Sequence, residues 1–164
     1  MATRKVKIPV VKPPVILPPA WLYEGNDLVE PPAAAVGFVY RITRLDTGRK
    51  YLGKKLLTFR RTKLIKGVKK KVTTASEWVT YYGSNAQLKA DVKELGYDNF
   101  LREILYLCYS RTECNYNETL SIINERALFS TNYYNDWFSC KITKSHVSSA
   151  VKSAAAQAST FTGL

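Results

Sequence analysis

Every proline of this 164-residue chain lies between positions 9 and 32, and none occurs after Pro32. Proline fixes φ and removes a backbone donor, so helix interiors and central strands are disfavoured in that stretch and open to everything that follows. Residues 1–35 therefore read as an extended, Pro-rich N-terminal arm, polyproline-like at Pro13-Pro14, Pro18-Pro19 and Pro31-Pro32. Trp21 and Tyr23 are the side chains able to pin it to a folded body. A loose tail and a docked arm that binds a protein partner both remain open. The start, basic and then apolar, has the charge order of a signal peptide, but the prolines interrupt its apolar run. No apolar stretch approaches the roughly 18 residues of a membrane-spanning helix, and no membrane partner is expected.

From residue 36 the pattern becomes regular. Residues 36–44 (VGFVYRITR) alternate with period two and set Phe38, Tyr40 and Ile42 on one face of a strand. Asp46-Thr47-Gly48 is a turn signal and residues 49–53 resume an extended pattern, which together make a β-hairpin. Residues 54–75 are basic and weakly periodic, and read as a short helix or loop near Leu56–Leu64 followed by an exposed basic loop around Gly67. Ser84 with Gln87 forms a capping box for a helix carrying Leu88, Val92 and Leu95 and closed by Gly96. Residues 99–108 (NFLREILYLC) read as a third strand. Ser110 with Glu113 opens a second helix, expected to run to about Phe129 with Tyr116, Leu120, Ile123 and Ala127 as its apolar stripe. Trp137 and Phe138 should pack back on the core, and the Ser/Ala-rich residues 147–164 read as a tail. The predicted domain, residues 36–146, is α+β: a small three-stranded antiparallel sheet flanked by helices in the order ββ-α-α-β-α. A hydrophobic content of 46% is enough for a real core.

Several chemistries are excluded. No GxxxxGK[ST] or GxGxxG segment is present, so no nucleotide cofactor is expected. Three cysteines rule out a disulfide framework, and one histidine, His146, leaves little for His-dependent catalysis. Cys108, Cys114, Cys140 and His146 do not have the spacing of a common zinc motif. The formal charge of +12 points instead to a polyanion. Residues 49–76 hold eleven Lys/Arg and no acidic residue, while the rest of the chain is nearly balanced. Lys54, Lys55, Lys63, Lys66, Lys69, Lys70 and Lys71 are thus candidate contacts to a phosphate backbone, which give affinity without sequence reading.

Gly37-Phe38-Val39-Tyr40 and, eleven residues after Tyr40, Tyr51-Leu52-Gly53 resemble the two halves of the GIY-YIG nuclease motif. Residues 76–108, with W-x-x-YYGS followed by a helix, Gly and Asn-Phe, are similar to the phage-encoded free-standing, Seg-like branch. The resemblance covers about residues 36–138. It implies a metal-dependent, homing-type DNA endonuclease with Tyr40 or Tyr51 near the nucleophilic water and Arg60 or Arg61 as the phosphate clamp on a helix. It further implies Glu118 as the Mg²⁺ or Mn²⁺ ligand, Asn135 after it, and Gly37 and Gly53 as motif glycines. The chemistry suits these residue types. One carboxylate can hold a hard cation whose shell is completed by water and phosphate, and an arginine fork can clamp a non-bridging oxygen. A tyrosine serves as base only if a cation lowers its pKa from about 10.

The sequence departs from the family where a His or Tyr follows the arginine, for Thr62, Lys63, Leu64 and Ile65 stand here. Lys63, Tyr81 and Tyr82 are substitutes to weigh as general base. Residues 139–164 are too few for the separate DNA-binding region that homing members attach, so contacts should fall mainly on the DNA backbone. Two alternatives stand beside the nuclease: a catalytically degenerate nucleic-acid-binding protein, and a basic phage structural or packaging-associated protein. The expected location is cytoplasmic, in an infected bacterial host if the chain is phage-encoded.

Overall fold

The computed structural model describes residues 17–65, 67–139 and Thr143. Lys66, Cys140, His146, residues 1–16 and the 147–164 stretch lie outside the described residues. The chain opens with a tight hairpin. Strand β1 (Trp21–Tyr23) turns through Glu24 and Gly25, with φ of 50° and 79°, into antiparallel β2 (Asn26–Leu28). Two successive left-handed residues give the turn whose twist matches that of the flanking strands. Next come β3 (Gly37–Arg44) and β4 (Lys50–Leu56), joined as the alternation and turn signal require. They are followed by β5 (Thr58–Ile65), β6 (Val68–Ala75), helix α1 (Ala86–Leu95), β7 (Phe100–Cys108) and helix α2 (Arg111–Asn124).

The main sheet runs β2-β1-β7-β3-β4, with β1 parallel to β7 and the other pairs antiparallel. The expected three-stranded antiparallel sheet is present as β7-β3-β4, but two strands from the stretch read as an arm enlarge it to a mixed five-stranded sheet. Pro18-Pro19 and Pro31-Pro32 flank that added hairpin and do not enter it. What holds it is Trp21, 1% exposed, whose ring meets Phe38 and Tyr40 edge to face at 5.2 and 5.1 Å. Its indole N–H donates to the Trp78 carbonyl at 2.9 Å. The buried Arg102 guanidinium lies between the Trp21 and Tyr82 rings, 4.6 and 4.5 Å from them. It donates to the carbonyls of Val79, Tyr81 and Pro19, so a single cation ties the N-terminal stretch to the 78–82 segment.

A second difference is in residues 54–75. They form no helix. Strands β5 and β6 make a separate antiparallel hairpin turning at Gly67, φ 76°. The β-branched residues Thr58, Thr62, Val68, Val72, Thr73 and Thr74 favour extended backbone. Because nearly every side chain is exposed, no apolar alternation announces the strands. Lys63 stands directly opposite Lys70, a like-charge pair that destabilises a ribbon already marginal on its own.

Residues along β3 and β4 divide cleanly between the sheet faces. Phe38, Tyr40 and Ile42 face α1 with Tyr51, Gly53 and Lys55, while Val39, Leu52 and Lys54 face α2. Leu88 and Val92 of α1 are buried as expected. Helix α2 ends at Asn124, earlier than expected, because Arg126 adopts φ 50° and starts a short 3-10 turn, Ala127–Phe129. Of its expected apolar stripe, Ala127 is buried and Tyr116 half-buried, while Leu120 and Ile123 point outward, 37% and 55% exposed. The covered side carries Glu113, Cys114, Thr119, Ser121 and Ile122. Cys108 and Cys114 are buried free thiols beside Val39, and no metal-holding cluster of His, Cys, Asp or Glu occurs among the described residues. No described helix is long and apolar enough to cross a membrane.

Candidate active site

Strand β4 is the edge of the main sheet, and an edge strand offers unpaired backbone groups. Residues 132–135 cover part of it. Lys50 N–H donates to the Asn132 carbonyl and Tyr134 N–H to the Lys50 carbonyl, both at 2.8 Å. Asn135 continues the pairing with its side chain. Its Oδ1 accepts from Leu52 N–H at 2.9 Å and its Nδ2 donates to the Leu52 carbonyl at 2.8 Å. Both polar atoms of Asn135 are thus spent on backbone, which makes it a positioning residue for β4. Asn135→Ala should cost about 2 kcal/mol, from two lost buried hydrogen bonds and two orphaned backbone groups, read as a lower urea midpoint.

Next to this clamp lies a cavity of about 500 Å³ whose walls include Tyr51, Lys54, Ser84, Asn85, Glu118 and Asn135. Each comes from a different local device. Tyr51 reaches it from one face of β4 and Lys54 from the other, wrapping the site around the sheet edge. Glu118 comes from the middle of α2, which Ser110 caps by accepting from Glu113 N–H at 3.1 Å. Its carboxylate pairs with the Lys54 ammonium, the two side chains being 17% and 30% exposed. The N-cap of α1 is Asn85, one residue later than the expected Ser84. Asn85 accepts from Leu88 N–H and donates to the Tyr134 carbonyl and the Asp136 carboxylate. Ser84 is thereby free to share a 2.9 Å hydrogen bond with the Tyr51 hydroxyl. Trp137 and Phe138 do not return to the core; they line the cavity, 74% and 39% exposed.

Tyr40 stands behind this wall. It is 1% exposed, its ring 6.2 Å from that of Tyr51 and 5.9 Å from that of Tyr81. Its phenol lies across the backbone of β4 at Gly53, where an added Cβ would come within 2.5 Å of the hydroxyl and 2.7 Å of Cζ. Gly37 is required for a similar reason: a Cβ there would meet the Lys55 carbonyl at 2.6 Å. Burial pushes the Tyr40 hydroxyl well above the ordinary phenol range, helped by Tyr81 and Tyr51. Burial also raises Tyr51, against the opposing effect of the Ser84 hydrogen bond. Both tyrosines therefore stay protonated near neutrality and work as hydrogen-bonding phenols until a cation joins them.

Of the residues singled out from sequence, the structure brings Tyr51, Lys54, Glu118 and Asn135 together, with Tyr40 and Gly53 directly behind. Arg60 and Arg61 are not on a helix and do not line the cavity. They are exposed on β5, with the Arg61 guanidinium 5.8 Å from the Phe59 ring. Lys63, Lys69, Lys70 and Lys71 share that hairpin. Lys55 turns away from the cavity, its ammonium 3.7 Å over the Tyr81 ring. Sequence reasoning missed Ser84 and Asn85 as site residues; their signal was a run, Gly83-Ser84-Asn85, with two adjacent capping residues.

No curated protein and no solved structure matches the chain. A family model described as "Putative endonuclease segE, GIY-YIG domain" matches residues 21–138, which span β1, both motif halves, Glu118 and Asn135. The chain belongs to this GIY-YIG endonuclease family.

Proposed function

We propose that the protein is a metal-dependent DNA endonuclease that hydrolyses phosphodiester bonds in a phage homing-type role. The observation that carries this reading is the meeting of Tyr51, Lys54 and Glu118 in one cavity on the edge of the motif hairpin. The Glu118 carboxylate, one oxygen paired with Lys54, suits a hard divalent cation held mostly by water and substrate oxygens; the walls offer no protein cage. When bound there, Mg²⁺ or Mn²⁺ would supply charge neutralisation on the phosphoryl oxygens. The chain's own groups divide the remaining work. Lys54, whose ammonium lies beside Glu118 at the cavity wall, would direct its charge to a non-bridging oxygen. Tyr51, oriented by Ser84, positions the attacking water by hydrogen bonding. Tyr40 and Gly53 fix the plane of Tyr51.

The β5–β6 hairpin supplies the backbone grip. Its opposed Lys63 and Lys70 repel until phosphates come between them, and residues 49–76 contain no acid to neutralise them. Arg60 and Arg61 join this grip, and the phosphate clamp at the reacting centre passes to Lys54. The cytoplasm of an infected bacterium supplies DNA and Mg²⁺ together.

The test is relaxation of supercoiled plasmid by the full chain with Mg²⁺, Mn²⁺ or EDTA. Nicked product should form with either metal and vanish with EDTA. Failure to nick with any divalent cation, by protein that still binds the plasmid, would leave the binding-only reading in its place.

A further inference from the structure

Resting on that nuclease reading, we propose that a second cavity beside the catalytic one receives an unstacked nucleotide of the bound DNA strand. This cavity, about 770 Å³, lies against α1, β4 and the 77–83 segment, and its walls include Lys55, Tyr81, Tyr82, Lys89, Lys93 and Tyr97.

Its placement ties it to the catalytic site. Lys54 and Lys55 are consecutive on β4 and enter different cavities, and Gly83 lines one while Ser84 lines the other. Helix α1 spans both: Ala86 lines the catalytic cavity, and Lys89 and Lys93 line the second. At a rise of about 1.5 Å per residue, Lys89 and Lys93 stand about 4.5 and 10.5 Å further along the axis than Ala86. At roughly 3.4 Å per nucleotide along a strand, that is one to three steps.

Its chemistry is that of a base platform with a phosphate grip. Tyr82 and Tyr97 are stacked, centroids 5.2 Å apart and planes 22° apart, and Tyr97 is 36% exposed. The Tyr82 hydroxyl, buried behind this wall, has no hydrogen-bond partner among the described residues. Three lysines face two carboxylates, Glu77 and Asp98, and Lys55 sits partly desolvated over Tyr81. Stacked duplex bases would need only the lysines. Aromatic rings with lysines at helical spacing fit a base taken out of its stack, its phosphates held by Lys89 and Lys93.

The test compares binding of the full chain, in EDTA, to a matched duplex and to the same duplex with one bulged nucleotide, by fluorescence anisotropy. The bulged duplex should bind about tenfold tighter, the scale of one base–aromatic stack. Tyr97→Ala should erase that preference and leave matched-duplex affinity unchanged, whereas Tyr97→Phe should keep it. Lys93→Glu, at an exposed helical position, should weaken the bulged complex most. Equal binding of both duplexes, a preference that survives Tyr97→Ala, or a free mononucleotide bound as tightly as the bulge would overturn the proposal. Since nothing here depends on cleavage, a protein that prefers the bulge but never nicks would refute only the nuclease reading. One that nicks without the preference would refute only this cavity's role.

Discussion

Glu118→Ala should lower plasmid nicking by about a thousandfold while DNA affinity holds or rises. Among the described residues, Glu118 and Asp136 are the carboxylates of the cavity wall, Glu118 paired with Lys54 and Asp136 accepting from Asn85. On the proposed mechanism, removal of Glu118 takes away the anchor for a hard cation and with it the charge stabilisation of the phosphoryl oxygens. Binding should respond in the opposite sense. Glu118 now holds the Lys54 ammonium, so in the variant that charge is free to meet a phosphate, and the cavity becomes more positive. Glu118→Gln should be as inactive, because an amide keeps a hydrogen bond to Lys54 but offers no charge. Both variants should melt close to the wild type, since the pair is partly solvated and such pairs contribute little to stability. Gel assays of nicking and anisotropy of a labelled duplex separate the two effects. Substantial nicking by Glu118→Ala would refute the assignment.

How far the sequence carried this site depended on whether a residue's place was set locally. Glu118 was legible because Ser110 and Glu113 announce the start of α2, and the helix then carries it a fixed distance. Tyr40, Tyr51 and Gly53 were legible because a strict period of two and a short turn fix their register. Arg60 and Arg61 were not. Their expected role came from the resemblance, and a position nine or ten residues past Tyr51 is placed by it only if the intervening chain has the assumed helical shape. Here β4 runs on instead into an exposed ribbon with charged side chains on both faces, so hydrophobic periodicity had little to report. Trp21 was legible as the anchor of the N-terminal stretch, but the hairpin it belongs to was hidden. Prolines bracket its hairpin on both sides, and composition averaged over 35 residues hid six that pair perfectly well. The Lys54–Glu118 contact joins residues 64 apart, and no local rule reaches across the face on which α2 crosses β4. Leu120 and Ile123, exposed on α2, show the converse error: a hydrophobic period locates a face, and the sheet beneath decides how much of that face is covered.

Gly53→Ala should destabilise the fold by about 3 kcal/mol and cut nicking about a hundredfold in the fraction that remains folded. A methyl group at this position would sit 2.5 Å from the Tyr40 hydroxyl and 2.7 Å from Cζ, with the Tyr51 ring at 3.1 Å. The ring cannot swing away, for Trp21, Phe38, Tyr51 and Tyr81 surround it at 5.1–6.2 Å between centroids. The strain must therefore move β4 or Tyr51, and both carry cavity walls. Tyr40→Phe removes only the hydroxyl, so on the Gly53→Ala background it should recover about 1 kcal/mol and no more, because the ring contact at Cζ persists. Urea denaturation of the four proteins of this double-mutant cycle measures the coupling, and nicking at matched folded fraction measures the geometry. Additive effects of the two substitutions would show that Tyr40 does not lie across Gly53, and the phenol would lose its place as the support of Tyr51.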